Sequence, residues 1–189
     1  MRMRFNETKV TQAAAVLLKL RGGRMKYIKL LKLLYLSDRK SLLERGRPIT
    51  TDRYVSMDDG PVLSITYNLI QGDYRHTQCV WANTIVAAGD FDVALKEPDA
   101  DLQIGQLSRA EIEILQAIFE QYGHWNRWTL IENVMHKLPE WHDPNGSMIP
   151  IEVRDILQAS SLSVSEQVEI EEELENLIVV QNLLAVPSK

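Results

Sequence analysis

The sequence predicts a mainly α-helical fold, a single-domain helical bundle carrying a small β-hairpin or short antiparallel sheet. Apolar residues recur at three-and-four spacing in one segment after another, which is the signature of helices burying one face. Two S-x-x-E pairs, Ser108 with Glu111 and Ser163 with Glu166, read as capping boxes that open helices. Strict alternation, the mark of a half-buried strand, is confined to a stretch around residues 84–95. With 189 residues, 45% of them hydrophobic, the chain can bury one real core. One domain over 1–189 is expected, with a core at about 8–96 and a helical extension at about 107–189.

Taken in order, Asn6 is an N-cap for a first helix with Val10, Ala13, Ala14 and Leu17 on one face and Gly22-Gly23 as its stop. A second helix is expected over about 25–45. Its face of Tyr27, Leu30, Leu31, Leu34 and Leu42 carries Asp38 in its middle, and a carboxylate there needs a donor partner. Lysines and arginines at 26, 29, 32, 39 and 40 read as its solvated side.

Residues 39–64, RKSLLERGRPITTDRYVSMDDGPVLS, form a shaped loop between two helices. Gly46 is placed to stop the second helix in a left-handed cap, Pro48 fixes the exit, and Gly60-Pro61 puts proline in the first turn of a third helix through Val62, Ile65, Thr66 and Leu69. Between them 54–57 has the make-up of a short extended piece. Arg47, Thr50, Thr51, Arg53 and Tyr54 are the candidate donors to Asp38, with Arg47, Arg53 or Tyr54 expected to clamp the loop onto the helix.

Beyond residue 78 the alternation of Thr84, Val86 and Ala88 with Ile85 and Ala87, a turn at Gly89-Asp90 and the run Phe91, Val93, Leu95 predict a hairpin. A lone hairpin is marginal in water, so it should lie on the helices or pair with 54–57. Residues 96–106 read as a surface loop. Helices follow over 108–123, about 126–138 up to Pro139, a short one over 154–160, and a last one from 163 with Ile170, Leu174, Leu177 and Ile178 inward and a run of glutamates on its solvated side. HDPNGSMIP between them is turn chemistry.

The segments KLLKLLYLSDR, GRPITTDRYVSM and DGPVLSITYNLI resemble the core motifs of the Panacea domain of SocA-type antitoxins, also known as phage-associated GepA-like proteins. HKLPEW and DPNGSMIPIEVRDIL resemble the tail of one branch. The combination of Tyr35 and Asp38 on the helix, GRPIT with Gly46 and Pro48, Tyr54, and Gly60-Pro61 is specific where each piece alone is weak. Ser37 stands where small apolar residues are commoner. The resemblance implies an antitoxin of a bacterial or prophage toxin-antitoxin system that neutralises a cognate protein toxin by direct binding. Its alternatives are a DNA-binding regulator, or an adaptor that hands the toxin to a protease as a second partner.

Composition and motif searches narrow the chemistry. Residues 1–53 carry 14 Lys/Arg against 4 Asp/Glu, and 54–189 carry 7 against 22. Such a split can serve nucleic acid or an acidic partner, but it equally lets two halves of one fold attract each other, and basic residues at 26, 29, 32, 39 and 40 on a solvated helix face favour the second. A helix-turn-helix is set aside because the second helix has too wide an apolar stripe and begins with Tyr27, Ile28, Leu30 and Leu31 rather than base-reading residues. His76, His124, His136 and His142 show no metal-ligand spacing, no glycine-rich phosphate loop is present, and Asp58-Asp59-Gly60 lacks the rest of a calcium loop. No catalysis, cofactor or metal is therefore expected. The lone Cys79 reads as a small buried hydrophobe in a reducing compartment, and with no leader-like or membrane-spanning run a cytoplasmic location is expected. Tyr122, Trp125, Trp128 and Trp141 suit a core or a protein interface better than base stacking. The expected partner face is the loop around Arg47, Thr50, Asp52, Tyr54 and Met57, because Arg, Tyr and Met make adaptable, energetic contacts.

Overall fold

A computed structural model describes residues 3–74 and 79–184. Among the described residues there are eight α-helices, one 3₁₀ turn and two three-stranded antiparallel sheets, so the fold is mainly helical as the sequence predicts. Helix α1 (Glu7–Leu20) begins at Asn6, whose side chain accepts from the Lys9 amide at 3.0 Å, and ends before Gly22 and Gly23, both at positive φ. Strand β1 (Arg24–Lys26) leads into α2 (Tyr27–Arg45), which Gly46 closes in the left-handed conformation at φ 70°.

Helix α2 is the centre of the molecule. Every residue from Lys29 to Asp38 is buried, because α1, α5 (Arg109–Tyr122), α3 (Ser64–Ile70), β1 and β3 (Gly60–Leu63) pack around it. A helix enclosed on all sides has no solvated face for its charges. Lys29 and Lys32, expected in solvent, are accordingly buried and Arg39 is half-buried. Each finds acceptors instead: Lys29 donates to the carbonyls of Gly123 and Trp125, and Lys32 to those of Gly60 at 2.8 Å and Pro61 at 3.0 Å.

The segment expected to start the third helix is a strand. Gly60 and Pro61 belong to β3, which pairs with β2 (Tyr54–Met57) in a hairpin that sets Tyr54 opposite Leu63 and Met57 opposite Gly60. Burial on the α2 side makes the run GPVL read like a helix segment, since short apolar runs do not declare their period. The other edge of β2 pairs with β6 (Ile149–Ile151), a strand inside what reads as turn chemistry.

The first sheet is the predicted hairpin, with differences. Residues 80–84 form α4 (Val80–Thr84), and the strands are β4 (Ile85–Ala87) and β5 (Asp92–Leu95). The Ala88 amide still donates to the Asp92 carbonyl and Asp90 and Phe91 both take positive φ, so the connection is a three-residue turn over 89–91 rather than a two-residue one. Its partner is β1, with Met25 opposite Val93, and not β2. Ion pairs join Arg24 and Lys26 to Asp92 at 2.7 and 3.0 Å.

The C-terminal half packs on the same centre. Ser108 and Glu111 form the expected capping box of α5, and Lys9 pairs with Glu111 at 2.7 Å. The helix expected over 126–138 is α6 (Arg127–Asn133), broken at Val134 and followed by the 3₁₀ turn Met135–Lys137. Then come α7 (Val153–Gln158) and α8 (Val164–Leu184), which buries Leu174 and Ile178 but leaves Leu177, expected inside, exposed. The buried apolar cluster runs without a break from Val10 on α1 to Leu174 on α8. Cys79 is exposed, at φ 60°, where a buried hydrophobe was expected. His76 and the proposed start of the hairpin at Gln78 lie outside the described residues. No described helix is long and apolar enough to cross a membrane.

Candidate functional site

The site grows from one buried acid. Asp38 is fully buried on α2, a position that a lone carboxylate occupies only at a cost of several kcal/mol. Four donors meet it: the amides of Ile49 and Thr50, both at 2.9 Å to Oδ1, and the hydroxyls of Thr50 and Tyr54, at 2.5 and 3.1 Å to Oδ2. The turn IT of GRPIT is thereby folded onto the helix, as the left-handed Gly46 and buried Pro48 direct it.

The clamp differs from the expected one in its charge. Arg47 and Arg53 point to solvent and do not reach Asp38; Tyr54 and the neutral groups of Ile49 and Thr50 hold it. Desolvation pushes the Asp38 pKa up to about 6, with the hydrogen bonds from Thr50, Tyr54 and Ile49 opposing the rise. Burial likewise pushes the Tyr54 hydroxyl well above its ordinary value, the nearby Asp38 adding to it.

A second acid organises the other side of the loop. Asp52 accepts from the amides of Ile65 and Thr66 at 2.9 and 2.8 Å and from the Thr66 hydroxyl at 2.6 Å, capping α3. Burial raises its pKa against those bonds. Between the two acids Thr51 sits at φ 54°, an uncommon conformation for a β-branched residue, and its hydroxyl donates to the Arg4 carbonyl at 3.0 Å. The loop is thus held from both sides: Asp38 of α2 and Asp52 of the loop, with Thr50 and Thr51 between them, are all engaged within the fold.

A third acid, Glu140, was not foreseen as a site residue. It is buried, accepts from the Tyr35 hydroxyl at 2.9 Å, and pairs with Arg39, whose Nε and Nη2 donate at 2.7 and 3.3 Å. The Tyr35 ring stands edge-on to that of Tyr54, centroids 5.4 Å apart, so the Asp38 and Glu140 clusters share one aromatic wall. Nothing in the spacing of Glu140 signals this role. The one clue in the sequence is that HKLPEW belongs to the resembling segments.

Of the five expected contact residues, three turn inward. Thr50 and Tyr54 are buried on Asp38, and the Asp52 carboxylate is spent on α3. Arg47 is exposed and Met57 half-buried. Of the motif residues, Tyr35 and Asp38 are fully buried on α2, Gly46 closes that helix, Pro48 is buried after it, and Gly60 and Pro61 are buried in β3. Gly60, at φ 98°, lies so close to the 3₁₀ turn that a Cβ would meet that of Met135 at 2.6 Å. The aromatic residues separate into Tyr122 against Trp125, Trp128 under Arg127, and Trp141 stacked on His136 with its indole donating to the Met57 carbonyl.

Two depressions flank the loop. One, of about 570 Å³, runs between the β2–β6 pair and α7–α8 past Arg53, Val55, Ile151 and Leu174. The other, of about 630 Å³, lies at the β2–β3 turn over the start of α2.

The family model of the SocA-like antitoxin, Panacea domain, matches residues 30–142. This chain belongs to the SocA-like antitoxin family. Its Panacea segment starts within α2 and ends just past Glu140, so it encloses the whole network from Asp38 to Glu140. It also takes in α5 and α6. Panacea antitoxins imply a cognate toxin as partner and are generally non-catalytic. No curated protein and no solved structure matches the chain.

Proposed function

We propose that this chain neutralises its cognate toxin by direct, stoichiometric protein–protein binding. The observation that carries this reading is the coincidence of the Panacea segment with a buried hydrogen-bond network that pre-orders the loop. A loop whose conformation is fixed before encounter loses little entropy on binding, and that saving appears directly as affinity. Arg47 and Met57 are its members left available to a partner, and the surface they flank is the proposed contact region.

The test is co-expression with the product of the adjacent reading frame. Growth should be arrested by that product alone, restored by this chain, and accompanied by a 1:1 complex on size-exclusion chromatography. Rescue without a complex would sink the direct-binding reading. Rescue that depends on a host protease and falls with the toxin's level would favour the adaptor variant. Salt-sensitive, specific retention of the upstream DNA would favour the regulator.

A further inference from the structure

The depression at the β2–β3 turn has features that the buried clamp does not explain. Its walls carry Tyr27 and Tyr67, centroids 6.4 Å apart, together with Met57 and Met148, and Phe91 extends the aromatic row 6.4 Å beyond Tyr27. Phe91 is 73% and Met148 61% exposed. These side chains come from five separate parts of the chain, α2, β2, α3, the β4–β5 turn and the segment before β6, so their convergence is not the accident of one amphipathic element. Aromatic residues and methionine are the types enriched where partner proteins anchor.

The charge at the mouth is negative. Asp58 and Asp59 line the depression, and no described ion pair involves either; Asp58 Oδ1 accepts only the Gly146 amide, at 2.9 Å. Two cations stand nearby and both are occupied. Lys32 is buried with its ammonium on the Gly60 and Pro61 carbonyls, and Arg127 lies over the Trp128 ring at 4.7 Å. Carboxylates beside half-buried tyrosine rings make a receptor for a guanidinium or ammonium with an apolar stem, which gains ion pairing and cation–π attraction together.

We infer that this depression is the anchor site for the toxin, and that it receives an arginine or lysine side chain flanked by apolar residues on the toxin's surface. The inference rests on the direct-binding reading and makes it specific: the anchor lies at the Met57 side of the loop, and Arg47 is outside it.

The experiment measures binding of the adjacent reading frame's product to full-length chain by calorimetry at low and high salt. Asp58→Asn with Asp59→Asn keeps an acceptor for Gly146 and removes both charges. Phe91→Ser alters a side chain that is largely exposed, so it tests the surface even where the double variant folds poorly. With melting temperatures matched to wild type, each is expected to weaken binding tenfold or more, and the salt dependence should shrink in the double variant. Arg109→Ala, on the exposed start of α5 and outside both depressions, should bind within twofold of wild type. Wild-type binding that both variants retain within twofold overturns the anchor and leaves the direct-binding reading standing. Absence of wild-type binding overturns both.

Discussion

The Tyr35 hydroxyl donates to Glu140 Oε1 at 2.9 Å across 105 positions of sequence, and Arg39 shares that same oxygen at 2.7 Å. The last part of the Panacea segment is thus tied to the middle of its central helix by a buried acid. Glu140→Ala would leave a half-buried guanidinium and a buried hydroxyl without their acceptor, at an expected cost of ~3 kcal/mol. Tyr35→Phe removes one donor and keeps the ring on Tyr54, so ~1 kcal/mol is expected. Urea midpoints at constant slope measure both, and equal losses from the two variants would contradict this division.

Asp38 should be less tolerant still. Asp38→Ala strands two amides and two hydroxyls and is expected to cost ~3 kcal/mol or more. Asp38→Asn keeps Oδ1 for the amides, and the Thr50 and Tyr54 hydroxyls can rotate to accept from its NH₂, so its cost should be only ~1 kcal/mol. An unchanged urea midpoint in the alanine variant would show that the loop holds without its clamp.

The pH dependence has a definite sign at two sites. Asp38 has a folded pKa of about 6, above the unfolded value, so its ionisation removes stability as pH rises from about 4 to about 6. Wild type should therefore gain stability relative to Asp38→Asn as pH falls through that window. For Lys32 desolvation lowers the folded pKa to about 7, with Asp59 partly opposing. The unfolded chain then binds the extra proton between about pH 7 and 10, and stability should rise with pH there. Lys32→Met should flatten that rise in urea titrations, and an identical slope would place the amine in solvent.

Gly60 has two reasons to remain glycine, its φ of 98° and the 2.6 Å approach of a would-be Cβ to Met135 Cβ. Gly60→Ala combines left-handed strain with overpacking and should cost about 2–4 kcal/mol. Gly72→Ala, also at positive φ but in open space, should cost only about 1 kcal/mol. Thermal melts of the pair separate strain from contact.

Much of the frame was legible because its signals are local. Asn6, the two serine–glutamate boxes and Gly46 announce helix ends through hydrogen bonds made within one turn. Asp38 betrayed its burial by standing on an apolar face. What escaped depends on partners far away in sequence. Lys29 and Lys32 look solvated until α5 and β3 are laid over α2, and Pro61 looks like a helix start until β2 is set beside it. The arginines looked like natural partners for Asp38, but the turn delivers amides first, which leaves both guanidinium groups outside. Glu140 and β6 were unreadable for the same reason, since each acquires meaning only from α2 or β2.

Strand β2 has β3 on one side within its own hairpin, whereas its other side is filled only by β6, with Tyr54 opposite Ile151. A chain ended at residue 142 would keep every partner of Asp38 and Glu140 and yet present an unpaired strand edge beside the loop. Open edges recruit other strands, so such a fragment should self-associate more readily than the longer chain. During synthesis the same edge stays open until residues 149–151 leave the ribosome, which makes the segment after the family match a chaperone in cis for the segment inside it.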